Sequence, residues 1–244
     1  MSHLVIDIGN SRTKAAIFDD HKLVKIDILK SPDTDHVLGY FNDYNIQHSI
    51  ISSVNDDIHL LEDALAQRTN YIRFSAQLNN SIDNRYKTPG TLGLDRLAGV
   101  IGAKTLYPGI GCLVIDAGTC ITYDAIDKNG VYKGGSISPG LKMRFKAMHT
   151  FTGRLPLVEL ADFDEIEGYD TVTSMLSGVV KGTLSEIKGF IETYKSEYSD
   201  LQIILCGGDA NFFDTRLKSS IFAHTLKTEP NLVLIGLNEV IHQQ

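Results

Sequence analysis

The sequence is poor in the features that mark several large classes of protein. Its 244 residues include only three cysteines, and no two of them form a C-x-x-C pair. This number and spacing argue against a disulfide framework and a structural zinc site, and are typical of a protein kept in a reducing compartment. The eight histidines show neither H-E-x-x-H nor H-x-x-E-H spacing, so a catalytic zinc site is not expected.

Long apolar runs and an excess of positive charge are also missing. No apolar run approaches the ~18 residues of a membrane-spanning helix, and no basic segment followed by an apolar one stands at the N-terminus. Acidic residues outnumber basic ones by 30 to 23, for a net charge of −7, which argues against a nucleic-acid-binding surface. The hydrophobic fraction of 43% is that of a globular chain. We therefore expect a soluble cytoplasmic protein.

What the sequence does contain is a short segment that occurs twice. Residues 4–9 read LVIDIG, and residues 113–118 read LVIDAG. Each copy is an apolar run that ends in Asp-x-Gly and continues through a small polar cluster into a second apolar run. The turn after the second copy contains Asn129-Gly130, a pair that hairpins favour. The repeat predicts a strand, a tight turn, a strand, a turn and a third strand in each half of the chain.

Strand and helix patterns alternate after each copy. Ser31-Pro32-Asp33 is a favourable helix start, because proline lacks only an N–H that would be unpaired there anyway. Strands followed by helices in both halves predict the α/β class, with mixed sheets flanked by helices and a cleft between halves 1–109 and 110–244. The predicted helices are 56–67, 141–148, 174–194 and residues from 231 onward, and the predicted single strands are 49–54 and 201–205.

The polar turn after the first copy has a composition that suits phosphate. Gly9 permits a sharp turn, and the N–H groups of such a turn, with nearby hydroxyls and Lys14, can surround phosphate oxygens. Asp7 at the strand end could hold a Mg²⁺ that bridges these oxygens. A polar turn with an Asx cap is the alternative interpretation. The second copy, with Asp116 and Thr119, favours the phosphate hypothesis, because two facing turns can hold a polyphosphate and its cation from both sides.

A second cluster, residues 86–96, reads YKTPGTLGLDR. Residues 88–90 predict a turn, and Gly93 allows close approach of a ligand. Asp95 precedes a segment with helical spacing and has two interpretations. It is either a helix N-cap or a carboxylate that accepts a proton from a substrate hydroxyl, with Arg96 clamping an anionic part of the same molecule.

Three further features each have two interpretations. Residues 134–140, GGSISPG, form either a glycine-rich loop near a ligand or a connection from a strand to a helix. Residues 206–209, CGGD, let a nucleotide base pass close to bare backbone or are a plain βα turn. His149, Arg154 and Thr171 are either ligand contacts or helix-cap and surface residues, and Thr171 is expected to open a helix.

Other nucleotide and hydrolase motifs are excluded. Residues 102–105, GAKT, lack the Gly-Lys step of a P-loop. Residues 109–111, GIG, precede a predicted strand rather than a helix, so they are not a dinucleotide-binding fingerprint. The sequence contains no G-x-S-x-G nucleophile elbow.

Together these motifs resemble the type III pantothenate kinases. The matching segments are D-x-G-N-S-x-x-K at 7–14, T-P to G-x-D-R at 88–96, D-x-G-T to T-x-D at 116–124, G-G-x-I-x-P-G at 134–140, and weaker matches at 171–178 and 207–210. The resemblance implies the duplicated ribonuclease-H-like fold of the actin, hexokinase and Hsp70 superfamily, with ATP in the cleft. It implies phosphorylation of pantothenate at its 4′-hydroxyl, the first step of coenzyme A synthesis. It also implies Mg²⁺ with ATP, a required monovalent cation (K⁺ or NH₄⁺), and a homodimer with the substrate site at its interface.

The resemblance also implies roles for individual residues. Asp95 would be the general base, and Asp116 would bind the K⁺. The residues implied to contact ATP are Asp7, Ile8, Gly9, Asn10, Ser11, Arg12, Thr13, Lys14 and Thr119. Those implied to hold pantothenate are Tyr86, Gly93, Leu94, Asp95, Arg96 and Thr171 of the partner subunit.

Two other functions compete with this one. The first is a kinase of the same superfamily that acts on another hydroxylated acceptor, such as a sugar. The second is a regulatory or accessory protein that has kept the fold. Asp7, Asp95 and Asp116 argue against the second, because an idle site has no physical need for three carboxylates around one cleft.

Overall fold

The computed structural model describes residues 1–10, 12–54, 57–78, 81–198, 200–218 and 225–244. Its strands are β1 (Ser2–Ile8), β2 (Thr13–Asp19), β3 (Lys22–Leu29), β4 (Ile46–Ser53), β5 (Asn70–Arg73), β6 (Asp83–Asn84), β7 (Cys112–Ala117), β8 (Cys120–Ile126), β9 (Val131–Pro139), β10 (Gln202–Cys206) and β11 (Leu226–Thr228). Its helices are α1 (Thr34–Asp43), α2 (His59–Ala66), α3 (Leu94–Leu106), α4 (Leu141–Phe151), α5 (Thr171–Glu197), α6 (Ala210–Leu217) and α7 (Leu232–His242), with a short 3₁₀ helix at Pro89–Thr91.

The described residues group into two compact units. The first comprises Met1–Gly109 with Lys128–Lys133 and Asn231–Gln244, and the second comprises Ile110–Asp127 with Gly134–Pro230. The closing helix α7 therefore packs with the first unit although it is last in the chain. The division of the sequence into duplicated halves 1–109 and 110–244, and the cleft between them, stay predictions.

The first unit is built on a mixed sheet with the strand order β3-β2-β1-β4-β5. Strand β2 runs antiparallel to β1 and β3, whereas β4 runs parallel to β1 and β5. Leu4, Ile17 and Ile51 are completely buried on its strands and pack in one core with residues of α1 and α2. Because neighbouring strands align their ends, the carboxyl ends of β1 and β4 lie at the same edge as the turn into β2.

The second unit repeats this strand order. Within this unit the strands follow the order β11-β10-β7-β8-β9, in which β7 and β8 are antiparallel and β10 runs parallel to both β7 and β11. Strand β6 pairs with the first residues of β9, Val131 and Tyr132, which group with the first unit. The predicted α/β class with mixed sheets, and the two repeated strand–turn–strand units, are confirmed.

Several local predictions need adjustment. Residues 134–140 are not a loop, because all but the last belong to β9. Gly135 is required there, since a Cβ atom at this position would lie 1.9 Å from the Tyr123 carbonyl oxygen of the adjacent strand. The turn predicted at 88–90 overlaps the 3₁₀ helix. The helix predicted from residue 56 begins at His59, and Asp56 lies outside the described residues.

The helix predicted to start at residues 31–33 is confirmed, but it begins later, at Thr34, so Pro32 precedes the helix instead of lying in its first turn. The Asp33 carboxylate accepts a hydrogen bond of 3.0 Å from the His36 N–H and so satisfies one of the free donors at the start of α1. Helix α5 is longer than its predicted range 174–194, because the Asp170 side chain and Thr173 form a capping box three residues earlier than the apolar pattern begins. None of the helices in the described ranges is both long and apolar enough to cross a bilayer.

Candidate active site

The first candidate element is the turn that joins β1 to β2. Asp7 lies opposite Lys14 in this hairpin and beside Ser52 of β4. Residues directly opposite in an antiparallel pair project from the same face, so the Asp7 carboxylate and the Lys14 ammonium share one face at the strand ends. The sheet register therefore places a carboxylate, an ammonium group and a hydroxyl side by side.

The turn itself is closed by a backbone hydrogen bond. The Gly9 N–H donates to the Arg12 carbonyl at 3.0 Å. Ile8 and Thr13, which flank the turn, are buried, whereas Asn10 and Arg12 are exposed. The predicted ATP contacts therefore divide into anchoring residues and residues that face outward, and Ser11 lies outside the described residues.

Asp95 is the second residue of α3 and is exposed. Gly93 occupies the N-cap position and provides no side-chain cap, so the hypothesis that Asp95 is the N-cap is wrong. Asp95 Oδ1 accepts the Arg96 N–H at 2.8 Å, one of the free donors at the helix start. A Cβ atom at Gly93 would lie 2.6 Å from the same oxygen, so the absence of a side chain at Gly93 leaves the space that this carboxylate occupies.

Arg96, which follows Asp95 in α3, is in contact with Tyr86. Arg96 is only 7% exposed, and its guanidinium carbon is 5.8 Å from the centre of the Tyr86 ring, within cation–π range. The Tyr86 ring lies nearly parallel to that of Tyr132, with centres 6.5 Å apart. The structure thus brings together the predicted acceptor residues Tyr86 and 93–96 within the first unit.

The second candidate element is the turn that joins β7 to β8. The Gly118 N–H donates to the Cys120 carbonyl at 2.9 Å, and Thr119 is exposed at the tip of the turn. Asp116 lies opposite Thr122 in β8 and beside Cys206 in β10. This arrangement corresponds to that of Asp7 in the first hairpin, which sits opposite β2 and beside β4.

Two glycines pack directly against this second turn. Gly207 has a φ of +93°, and a Cβ atom there would lie 2.4 Å from Asp116 Oδ1. Gly140 donates its N–H to the Thr119 carbonyl at 3.1 Å, and a Cβ atom at Gly140 would lie 2.2 Å from the Gly118 carbonyl oxygen. Close packing therefore accounts for the presence of glycine at positions 140 and 207. Gly208 has open space around it, so the hypothesis of a nucleotide base beside 206–209 now rests on Gly208.

The Thr122 hydroxyl is an unsatisfied buried group. Thr122 is buried, and its Oγ1 has no hydrogen-bond partner within the described ranges. Because Thr122 is directly opposite Asp116, its oxygen projects from the same face as that carboxylate. No group of three or more His, Cys, Asp or Glu side chains in the described part of the chain could hold a metal ion. One carboxylate with a neutral oxygen suits a singly charged cation better than a transition metal.

A polar cluster at Glu186 links four elements of the second unit. The Glu186 carboxylate accepts hydrogen bonds from Tyr123 of β8 at 2.9 Å, from Ser138 of β9, and from Arg144 of α4 at 2.6 Å. Burial raises the pKa of Glu186, but these bonds from Ser138, Arg144 and Tyr123 outweigh it, so the pKa lies below its usual value. Burial, followed by the bond to Glu186, raises the pKa of the Tyr123 phenol.

Arg144 also forms part of the wall of a cavity of about 590 Å³ between α4 and α5. The other polar residues in this wall are Thr171 and Ser174, both in the first turn of α5. Thr171 opens the helix, as predicted. His149 Nδ1 lies 2.8 Å from the Leu155 carbonyl oxygen, which fits a structural role, and Arg154 is exposed.

Several large apolar side chains in the chain segment that contains Thr171 are exposed. Phe151 is 85% exposed, Ile166 81% and Tyr169 76%, and Leu157 and Val172 are also exposed. We call these five residues the 151–172 patch. Exposed apolar surface of this kind commonly marks an interaction site.

Comparison with known proteins decides the family. A family model described as type III pantothenate kinase matches residues 3–193. A type III pantothenate kinase of Bacteroides fragilis (strain YCH46) is 43% identical over 244 residues, which cover 98% of this chain and 97% of that relative. The chain belongs to the type III pantothenate kinase family.

Solved structures agree with this family assignment at the level of fold. A Campylobacter jejuni protein described as a Baf family transcriptional activator is 25% identical, has a TM-score of 0.60, and is matched over 98% of both chains. A ROK hexokinase of Thermus thermophilus has a TM-score of 0.53 at 11% identity over the full length of both chains. The second likeness shows that this pantothenate kinase family member shares the fold of that hexokinase.

Sequence reasoning missed three residues of these sites. Thr122 belongs to the T-x-D part of the motif at 116–124, and nothing in the local sequence indicates that its hydroxyl lacks a hydrogen-bond partner within the described ranges. Arg144 and Glu186 lie on different helices, and their ion pair was not expected. The only sequence signal for Glu186 was a carboxylate among the apolar positions of the long helix α5.

Proposed function

We infer that this chain is an ATP-dependent pantothenate kinase that phosphorylates the 4′-hydroxyl of pantothenate, the first step of coenzyme A synthesis. The observation that carries this inference is the family match over nearly the whole chain. The exposed Asp95 carboxylate beside Arg96 and Tyr86 provides the local chemistry that such a transfer needs.

ATP is proposed to bind at the β1–β2 turn and at Thr119. The Lys14 ammonium would supply positive charge, and the exposed Asn10 and Arg12 would supply donors for phosphate oxygens. The Asp7 carboxylate, at the end of β1, is placed to hold the Mg²⁺ that accompanies ATP, and Mg²⁺ would neutralise the charge that develops on the phosphates.

A monovalent cation is proposed at Asp116. Its support is the fit of the residues present, because the buried Thr122 oxygen without a partner lies opposite that carboxylate. An oxygen in this situation gains a favourable contact from a cation such as K⁺ and loses no existing hydrogen bond.

Asp95 is proposed to act as the general base. Its carboxylate would take the proton of the 4′-hydroxyl while that oxygen attacks the γ-phosphorus, and ADP would leave with the electron pair of the broken bond. Arg96, held against Tyr86, would offset negative charge during this transfer. Tyr86, Gly93 and Leu94 would line the acceptor site around the reacting hydroxyl.

The test of this role is Asp95→Asn, assayed with labelled ATP and pantothenate. We expect kcat to fall by about 10²–10⁴-fold, because a positioned general base typically contributes this much. ATP binding and the thermal midpoint should remain as in the wild type. The matched control is Asp35→Asn, which alters the acidic residue in the first turn of α1 instead. Turnover by Asp95→Asn close to that of Asp35→Asn would mean that Asp95 is not the base.

A homodimer is proposed, with Thr171 of the partner subunit completing the acceptor site. The support is the 151–172 patch, whose exposed apolar side chains lie in the segment that leads into the first turn of α5. A second copy is the natural occupant because two-fold interfaces use the same surface on both subunits, so one patch serves both.

Complementation tests the shared site directly. Asp95→Asn and Thr171→Leu are each expected to be poorly active, but coexpression yields heterodimers with one site made only of unaltered residues. With random pairing, about a quarter of all sites are then intact, so activity should recover to roughly that fraction of the wild type. No recovery in a mixture shown to contain heterodimers would place Thr171 in the site of its own subunit.

The two alternatives have their own outcomes. Phosphorylation of a sugar but not of pantothenate, in a panel of acceptors with labelled ATP, would favour the kinase with another acceptor. The observation that favours the accessory-protein alternative is the similarity to a solved structure that is described as a transcriptional activator. A purified chain that neither binds ATP nor phosphorylates pantothenate would favour that alternative.

A further inference from the structure

The guanidinium group of Arg144 is hydrogen-bonded along one edge, and the donors at its other end are unused. Its Nε donates to the Pro139 carbonyl at 2.8 Å, and its Nη2 donates to Ser138 Oγ at 3.2 Å and to Glu186 at 2.6 Å. The two N–H donors of Nη1 have no partner within the described ranges. A guanidinium held in this way offers donors in a fixed direction, which is the arrangement that recognises a carboxylate.

Glu186 is what holds the guanidinium in place. Its carboxylate binds Arg144 and is itself held by Tyr123 and Ser138, so three donors share its negative charge. Glu186 thus already fixes the position of the guanidinium group before another anion binds at Nη1. Less conformational entropy is lost on binding than with a free arginine side chain.

The cavity beside Arg144 has the mixed polarity of a site for a small amphipathic anion. Thr171 and Ser174 line the same cavity as Arg144 and add hydroxyl groups, and neither side chain has a hydrogen-bond partner in the described part of the chain. Met148, Met175 and Val179 provide apolar wall. A volume of about 590 Å³ is ample for a molecule of pantothenate's size.

We propose that this cavity binds the carboxylate end of pantothenate, with Arg144 as the residue that recognises the carboxylate. The proposal rests on the function proposed above. Pantothenate complements the cavity group by group, because its carboxylate matches Nη1, its amide and secondary alcohol match Thr171 and Ser174, and its methyl and methylene groups match the apolar wall. In the proposed dimer, each subunit supplies this cavity to the acceptor site of the other.

The experiment compares pantothenate with pantothenol, in which a primary alcohol replaces the carboxylate. The wild type should prefer pantothenate in kcat/KM by ~10–100-fold, the range expected when a hydrogen bond to a charged group is lost. Arg144→Gln should remove most of this preference by raising KM for pantothenate, with kcat for pantothenate and KM for pantothenol little changed. The reacting hydroxyl is at the other end of the molecule, so a loss confined to KM is the expected signature.

Lys142→Gln is the matched control for charge. Lys142 is exposed on the same helix as Arg144 and lies outside the cavity wall, so this variant should keep the wild-type preference. Retention of the full preference by Arg144→Gln would overturn the proposal. Loss of the preference in Lys87→Gln or Lys133→Gln instead, two lysines that line a different cavity beside Tyr86, would also overturn it.

A second variant avoids disturbing the Arg144–Glu186 pair. Gly178 lines the cavity, and a Cβ atom there would meet no atom within 4 Å, so Gly178→Leu should fold and fill part of the cavity. We expect KM to rise at least ~10-fold for both acceptors, because the body of each molecule is excluded. Gly182→Leu is the control, since Gly182 is exposed on the same helix and equally free of close neighbours.

The outcomes separate this proposal from the proposed function. An unchanged KM in folded Gly178→Leu would show that pantothenate does not use the cavity, while the wild type would remain a pantothenate kinase. If the wild type phosphorylated neither acceptor, the proposed function would fail, and this inference with it. A preference that disappears in Arg144→Gln but persists in Lys142→Gln supports both.

Discussion

Replacing Gly236 by alanine should destabilise the first unit and reduce catalysis, although the site of change is near the C-terminus. Gly236 lies in α7 where it crosses α3. A Cβ atom at Gly236 would lie 1.9 Å from the Ala98 carbonyl oxygen and 2.9 Å from the Gly102 backbone nitrogen. Both atoms are backbone, so no side-chain rotation can relieve the contact and the helices themselves must separate.

The size of the effect follows from two opposing contributions. An ordinary contact between heavy atoms is roughly 3.5 Å, so α3 and α7 must move apart by about 1.5 Å. Overpacking typically costs 1–3 kcal/mol, and we take about 3 kcal/mol because the obstacle is backbone. Alanine returns about 1 kcal/mol of helix propensity. The net loss is about 2 kcal/mol, which corresponds to a fall in Tm of about 4–8 °C for a chain of this size.

Catalysis should fall as well, because α3 carries Asp95 and Arg96 in its first turn. A displacement of about 1 Å at a catalytic group can cost about 10²-fold in rate, so we expect kcat to fall by ~10–10²-fold. The control is Gly39→Ala in α1, where a Cβ atom would meet nothing within 4 Å. That variant should gain up to about 1 kcal/mol and keep its activity.

Thermal and urea unfolding, together with steady-state kinetics, check both expectations. Gly236→Ala with a Tm equal to or above the wild-type value would refute the packing argument. A Tm that falls as expected with unchanged kcat would show that α3 tolerates the shift without moving Asp95.

Three other predictions concern separate parts of the molecule. Burial, together with the nearby His242 and His48, lowers the pKa of His3 below 6.5, so the unfolded chain binds more protons and stability should fall as the pH drops through 6.5. Urea unfolding at pH 7.5 and 5.5 should show this loss, and His3→Gln should reduce it. Glu186→Ala leaves the half-buried Arg144 charge without its partner and should cost about 3 kcal/mol, against about 1 kcal/mol for Tyr123→Phe, measured by urea unfolding. Thr122→Val should raise the K⁺ concentration needed for half-maximal activity several-fold and leave KM for pantothenate unchanged, and an unaltered K⁺ dependence would exclude Thr122 from the cation site.

Local sequence patterns determined much of this protein's architecture. The repeated LVIDIG and LVIDAG segments indicated two hairpins, and both hairpins are present with the same strand order around them. Thr171 is the first residue of α5, as predicted, and residues 31–33 locate the start of α1 to within a few residues, because capping depends on residues only a few positions apart. Residues 134–140 had two interpretations, a loop and a connection from a strand to a helix. The loop is wrong, because β9 extends to Pro139 and Gly135 serves close strand packing, and only Gly140 connects the strand to α4.

Only the tertiary structure decided which distant residues meet. Nothing in the sequence near Glu186 indicates that Tyr123, Ser138 and Arg144 all bind to it. Together with Glu186, these residues come from four separate elements. Similarly, the final helix α7 packs on α3, and glycines on both helices allow that contact. Hydrophobic periodicity and turn chemistry act over a few residues and so can be read along the chain. Ion pairs, cavities and backbone contacts arise only when packing brings remote segments together.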